Sequence, residues 1–407
     1  MPQLHRLDNG LTLCMQRIEG VASVAVHAML PAGCAYDNDA TDGIAPMHAE
    51  LLLRGAGPHN SRALSDAMDT AGMHRGVSAG TQHLHLHCTT SGAYLGQAMR
   101  LVTQIMTAPV LPKAEIDAAR SLCMLSLASL HDDPQDICTT TLHEMHRPRP
   151  LHRNGLGCAD VLQTLDSARI QQAWNDRVGP KTSILAVAGH FDPDVLCESV
   201  ESLLGNWTGA NAMQEAFEAP PRGRVCIDQD TAQMQLALAF DAPLATDVNV
   251  DAARLAAHVL GGGSSSRLFL EVRQRRSLCY GIGARWSGSD HDGFIQVVTG
   301  TTPERVEETL ETTLSTIQEA ASGLREDEIA RAVLQFRSHL VRGGESTQAR
   351  ASALARDVAV LGRVRGLPER IAEIESVAPS EVNAIAATWA DLEPTIVAVG
   401  PEASRPW

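Results

Sequence analysis

Three shortages bound this 407-residue chain. It has no run of about 18 apolar residues that could span a bilayer, and residues 1–13 lack the charged and apolar regions and cleavage site of a secretory leader. The expectation is a cytoplasmic protein with no membrane partner. There is no C-x-x-C among nine scattered cysteines (Cys14, Cys34, Cys88, Cys123, Cys138, Cys158, Cys197, Cys226 and Cys279), and several sit in apolar runs such as Leu122-Cys123-Met124. That pattern argues against a disulfide framework or zinc knuckle and for buried thiols in a reducing compartment. Basic charge is also short: 33 Lys and Arg face 48 Asp and Glu, a formal charge of −15. Nucleic acid and anionic surfaces need a basic face, which argues against both as partners.

What is present is a chain of two-domain length that repeats itself. Residues 23–28 (SVAVHA) return as 235–240 (QLALAF), and residues 111–120 return as 324–332. Trp174 and Pro180 before ILAVAG at 184–189 return as Trp389 and Pro394 before IVAVG at 396–400. A near-constant offset means that a whole domain was duplicated. Residues 209–223, polar and ending in a Pro pair before Arg222-Gly223, read as a linker. The expected division is 1–208, linker 209–223, and 224–407.

Residues 24–29 and 234–240 are apolar and suited to strands, and His83-Leu84-His85-Leu86-His87 alternates with period two. Thr302 before Pro303 and Asp192 before Pro193 read as helix starts, and Gly323 closes the region of the first. The fold class is α+β: two homologous domains, each a largely antiparallel sheet packed with helices on one face.

The most specific segment is Ser265-Ser266-Arg267-Leu268-Phe269-Leu270-Glu271-Val272-Arg273-Gln274-Arg275-Arg276-Ser277-Leu278-Cys279-Tyr280. It resembles the second-domain signature of the pitrilysin/insulinase family of inverted zinc peptidases, in its short, processing-peptidase-like bacterial branch. The resemblance implies that Arg273 and Tyr280, seven apart, reach the substrate across a clam-like chamber. In the first half, residues 43–55 (GIAPMHAELLLRG) resemble the frame of that family's zinc helix.

The frame is kept and its chemistry is gone. H-x-x-E-H sets two imidazoles four apart on one helix face to hold Zn²⁺, with a carboxylate between them as base. Those slots hold Pro46, Ala49 and Glu50. No shift of frame restores them, because His48 is followed by Leu51 and Leu52 where the base and second ligand belong. The third ligand should be a Glu ahead of Asp132-Asp133-Pro134, and residues 121–131 contain no carboxylate.

The resemblance therefore implies a chain that binds no cofactor and forms a heterodimer with a homologous, zinc-bearing subunit. Its Arg273 and Tyr280 then serve hydrolysis of peptides or unfolded segments at the partner's Zn. A second reading is a catalytically inert structural or peptide-binding pseudo-peptidase. A third is an autonomous enzyme with a relocated metal site using His48, Glu50 or the His83 strand.

Other motifs have plainer readings. His83, His85 and His87 are expected on an exposed strand face, and His143-Glu144-Met145-His146 in a surface loop before Arg147-Pro148-Arg149-Pro150. Gly261-Gly262-Gly263 lacks a phosphate-loop continuation and reads as a flexible loop. Arg267 is expected to tie the helix start to a carboxylate or carbonyl, and Arg275 and Arg276 to lie on a solvated face.

Overall fold

A computed structural model of the chain describes residues 1–210, 216–391 and 393–407. Residues 211–215 of the expected linker lie outside the described residues. The strands are β1 (Gln3–Arg6), β2 (Thr12–Arg17), β3 (Ser23–Leu30), β4 (Gly55–Ala56), β5 (His59–Asn60), β6 (His74–Ala79), β7 (Leu84–Ser91) and β8 (Ile184–Gly189). They continue as β9 (Arg224–Asp228), β10 (Met234–Asp241), β11 (Cys279–Gly288), β12 (Gly293–Thr301) and β13 (Thr395–Gly400). The helices begin with α1 (Ile44–Leu51), α2 (Ser61–Thr70), α3 (Leu95–Thr107), α4 (Ile116–Asp132), α5 (Pro134–His146), α6 (Ala159–Thr164) and α7 (Ser167–Arg177). They end with α8 (Pro193–Leu204), α9 (Val250–Gly261), α10 (Val306–Ala321), α11 (Glu326–Gly344), α12 (Thr347–Leu361), α13 (Leu367–Ser376) and α14 (Pro379–Ala387).

Two compact units form, and neither is one contiguous stretch. The first comprises Met1–Ala128, Arg149–Glu218 and Arg342–Gly366; the second comprises Ser129–Pro148, Ala219–Val341 and Leu367–Trp407. Helix α5, encoded in the first half, and helix α12, encoded in the second, thus each belong to the other half's unit.

In the first unit the sheet order is β1-β2-β8-β3-β7-β6, antiparallel except for the β2–β8 pair. In the second it is β11-β12-β10-β13-β9, antiparallel except for β13–β9. The duplication read from the sequence therefore recurs as topology, with β3 matching β10 and β8 matching β13.

The α+β reading holds, and each sheet carries one helix more than a single covering layer. Strand β7 alternates as expected: Leu84, Leu86 and Cys88 enter the main core with α1, α2, α3 and α8. Strand β8 is buried along its whole length, as a strand covered on both faces must be. Leu185 and Val187 join that core, whereas Ile184, Ala186 and Ala188 meet Ala351, Leu354, Ala355 and Val358 of α12. Alanines on both sides let α12 approach the sheet closely. In the second unit β13 is likewise fully buried, and Val397 and Val399 pack on Cys138 and Leu142 of α5. Each buried aliphatic side chain contributes about 1.5–3 kcal/mol, so neither helix is a peripheral addition.

Helix punctuation follows the sequence. Asp192 accepts from the Asp194 and Val195 amides at the start of α8. Thr302 and Pro303 open a short 3₁₀ turn that leads into α10. No described helix is long and apolar enough to cross a membrane.

Candidate functional site

The segment from Arg267 to Gly281 is built from three local irregularities in succession. Residues Phe269–Arg275 form a π-helix, a rare form found mostly at functional sites. Ser277 then adopts a left-handed φ of 53°; its amide donates to the Arg273 carbonyl, and the Leu278 amide donates to the Val272 carbonyl. This turns the chain sharply into β11. There the register moves from Cys279↔Thr301 directly to Gly281↔Gly300, which leaves Tyr280 as the extra residue of a β-bulge. Bulges re-aim side chains beside active sites. Thr301 Oγ1 donates to the Leu278 carbonyl at 2.6 Å and Thr299 Oγ1 to the Gly281 carbonyl at 2.9 Å, which pins both flanks.

The bulge turns Tyr280 outward, leaving it 87% exposed. The Arg273 guanidinium carbon lies 5.1 Å from the Tyr280 ring centre and 4.6 Å from that of Phe269. Arg273 is thus held between two aromatic faces by cation–π contact. Among the described residues neither the Arg273 guanidinium nor the Tyr280 hydroxyl has a hydrogen-bond or ion-pair partner. The stack orients both groups while their N–H and O–H donors stay available.

Neighbouring arginines are spoken for. Arg267 grips Glu328 through Nε (3.1 Å) and Nη2 (2.7 Å) and donates to the Gly323 carbonyl at 2.8 Å, which is the tie to both a carboxylate and a carbonyl expected from the sequence. Burial raises the Glu328 carboxyl, but Arg267 and the Arg325 amide hold it below the usual range. Arg275 and Arg276 are exposed and both pair with Glu271. Arg267→Ala should therefore cost about 2 kcal/mol of stability in a denaturant melt, since it takes two guanidinium bonds from a buried carboxylate and leaves it only Arg325. Arg276→Ala should cost under about 1 kcal/mol.

The counterpart of the zinc helix is α1. Gly43 enters it at φ 133°, a conformation open to glycine. Pro46 falls in the first turn, where its missing N–H removes no helix bond. Ala49 packs against the core. Glu50 lies 3.9 Å from Arg54, whose Nη1 reaches Glu115 at 2.8 Å. On α4, Cys123 is buried with its Sγ 3.8 Å from Met47 Sδ. One apolar ring, one methyl group and one ion-paired carboxylate make no zinc site. Among the described residues no group of three or more His, Cys, Asp or Glu is placed to hold a metal.

His48 is fully buried, its Nε2 donates to the Ile170 carbonyl at 2.9 Å, and its ring meets Trp174 edge-on at 5.3 Å. Burial lowers its pKa to about 4, against the pull of the Ile170 carbonyl and with that of Arg177. It is a core residue, which removes it from the relocated metal site considered above.

Three other expectations are corrected. His143 and His146 lie on α5, not in a loop, and His146 is buried with Nδ1 2.9 Å from Thr395 Oγ1; the Arg-Pro run ends the helix just after it. Residues 83, 85 and 87 are half-buried, not exposed, because α12 covers that face. Gly261 is the last residue of α9, not loop, and a Cβ there would come 2.2 Å from the Ala284 amide nitrogen.

The sequence singles out Arg273 and Tyr280 as candidates, but not the bulge and the π-helix that place them. The signals were Gly281 and Gly283 after Tyr280, which mark an irregular strand start.

Comparisons with known proteins show the family. Residues 14–157 match the family model described as insulinase (peptidase family M16), and residues 164–336 match the model described as the peptidase M16 inactive domain. The chain belongs to the insulinase, or M16, peptidase family. It is 27% identical over 408 residues to an uncharacterized zinc protease of Streptomyces coelicolor, covering 97% of this chain and 88% of that protein. In fold it matches the peptidase M16 inactive domain from Pseudomonas fluorescens at a TM-score of 0.88 and 17% identity, over 98% of both chains. It also matches a chain of complex III2 from Candida albicans at 0.83 and 16%, over 98% of this chain and 95% of that one.

Proposed function

We propose that this chain is the non-zinc subunit of a heterodimeric zinc metallopeptidase that hydrolyses peptides or unfolded segments in the cytoplasm. One observation carries the reading: Tyr280 is thrown outward by a bulge and stacked on an unpaired Arg273, in a chain whose zinc helix has lost every ligand. A scaffold has no use for that arrangement.

A homologous subunit bearing the intact motif brings the zinc, which supplies a Lewis acid and an activated water. This chain forms the opposite wall of the chamber. Arg273 presents a fixed fork of N–H donors to a substrate carbonyl and keeps the peptide extended. Tyr280 donates its O–H to the oxygen on which negative charge develops as the scissile carbonyl is attacked.

The isolated chain should carry far less than one zinc per molecule and cleave no peptide. Mixed with its zinc-bearing partner it should give one zinc per heterodimer and peptidase activity, read by elemental analysis and a fluorogenic peptide library. Stoichiometric zinc in the isolated chain would overturn the reading. Inactivity with every family partner would favour an inert pseudo-peptidase, the reading supported by the match of residues 164–336 to an inactive domain.

A further inference from the structure

Four imidazoles gather on the face of the first unit's sheet that α12 covers. His27 comes from β3, His85 and His87 come from β7, and His83 lies just before β7. Ser352 Oγ of α12 lies 2.9 Å from His27 Nδ1, and His27 Nε2 lies 3.1 Å from His85 Nδ1. The His27 and His85 rings meet edge-on at 5.3 Å, and His87 lies parallel to His27 at 6.4 Å. Glycines make the room: a Cβ on Gly76 would come 2.7 Å from His87, and one on Gly80 2.9 Å from His85 Nε2. Along the same seam Thr89 Oγ1 donates to Gln348 Oε1 at 3.1 Å.

We propose that this Ser352–His27–His85 chain is an acid-sensitive latch that fastens α12 to the sheet at neutral pH and releases it on acidification. Each link holds one proton. With both rings neutral, one nitrogen of the His27–His85 pair donates and the other accepts, and in the Ser352–His27 pair the hydroxyl or the ring nitrogen donates. Once both His27 and His85 are protonated, two N–H groups face each other across 3.1 Å and the link between β3 and β7 is lost; Ser352 Oγ still accepts from His27 Nδ1, so release of α12 is driven by the charge buried beneath it. A single proton on His27 is already costly, since the ring is buried beneath α12 and Arg356 of that helix repels the charge.

The charged and titratable groups that act on the cluster are Arg356 from α12, His74 from β6 and His83 just before β7. Asp357 of α12 is held by Arg365 at 2.6 Å. From β8 the neighbouring residues Ala186 and Ala188 are apolar. Burial first, then His85, His87 and Arg356, lower His27 to about 3, and burial likewise lowers His85 and His87.

The sign follows from linkage. A released imidazole titrates near its ordinary 6.5, so between there and about pH 3 the released state binds more protons than the docked one. Docking is at full strength above about pH 6.5 and weakens as pH falls.

Hydrogen exchange of the full-length chain at pH 7.5 and 5.0, corrected for the intrinsic rate, tests this. Peptides covering residues 347–361 should lose about thirtyfold in protection for each proton taken up, while peptides from β10 and β12 keep theirs. The loss should shrink in His27→Gln. Ser352→Ala, which keeps every imidazole, should lower protection of α12 already at pH 7.5. Protection of α12 at pH 5.0 within twofold of that at 7.5, or a loss spread evenly over all peptides, would overturn the proposal.

Discussion

Tyr280→Phe should lower kcat of the proposed heterodimer by about 10²–10³ and leave its zinc content unchanged, the expected result of removing one preorganised donor worth about 2.7–4 kcal/mol of transition-state stabilisation. The substitution is narrow. The phenyl ring keeps its face against Arg273, and the bulge is held by Thr299 and Thr301 through backbone carbonyls that the change does not touch. Because the side chain is 87% exposed, stability should move by no more than about 0.5 kcal/mol. A fall in activity at constant stability, zinc and subunit stoichiometry separates a catalytic hydroxyl from a structural one. Unchanged kcat would remove Tyr280 from the chemistry.

Asp37→Ala should cost about 3–5 kcal/mol, a large share of the 5–15 kcal/mol that separates native from unfolded states. Asp37 has a fully buried side chain, and one oxygen accepts from Arg177 Nη1 at 2.7 Å. Its other oxygen accepts from the Ala45 and Gly43 amides at 3.2 and 3.4 Å, at the start of α1. Alanine would strand a buried guanidinium and two amides together. Asp37→Leu with Arg177→Met should recover part of the loss, since it removes both charges, though the amides stay unpaired. Denaturant melts of the three variants check this; single-variant losses below about 1 kcal/mol would contradict it. The helix that carries Pro46, Ala49 and Glu50 is thus held by a buried ion pair.

Much of this was legible in sequence because it depends on short-range pattern. The alternation of β7, the caps at Asp192 and Thr302, the repeat and the loss of the zinc ligands at Pro46, Ala49 and Glu50 are all local. The exchange of α5 and α12 is not. A wholly apolar run such as ILAVAG at β8 states that both faces are covered, but nothing in it says that the covering helix lies more than 150 residues downstream. The histidines were misread for the same reason. His85 looks like the outer side of a half-buried strand until α12 is placed over it, and His48 looks like a ligand until its Nε2 is found on the Ile170 carbonyl. Arg273 and Tyr280 are candidates through resemblance; their geometry comes from a bulge and a left-handed Ser277, which serine signals only weakly.

Native mass spectrometry of the protein isolated from its own cells tests the central claim most directly, because one spectrum reads both partner and metal. The account predicts the mass of this chain plus one unlike family chain, carrying a single zinc. This chain alone with a zinc of its own would contradict it.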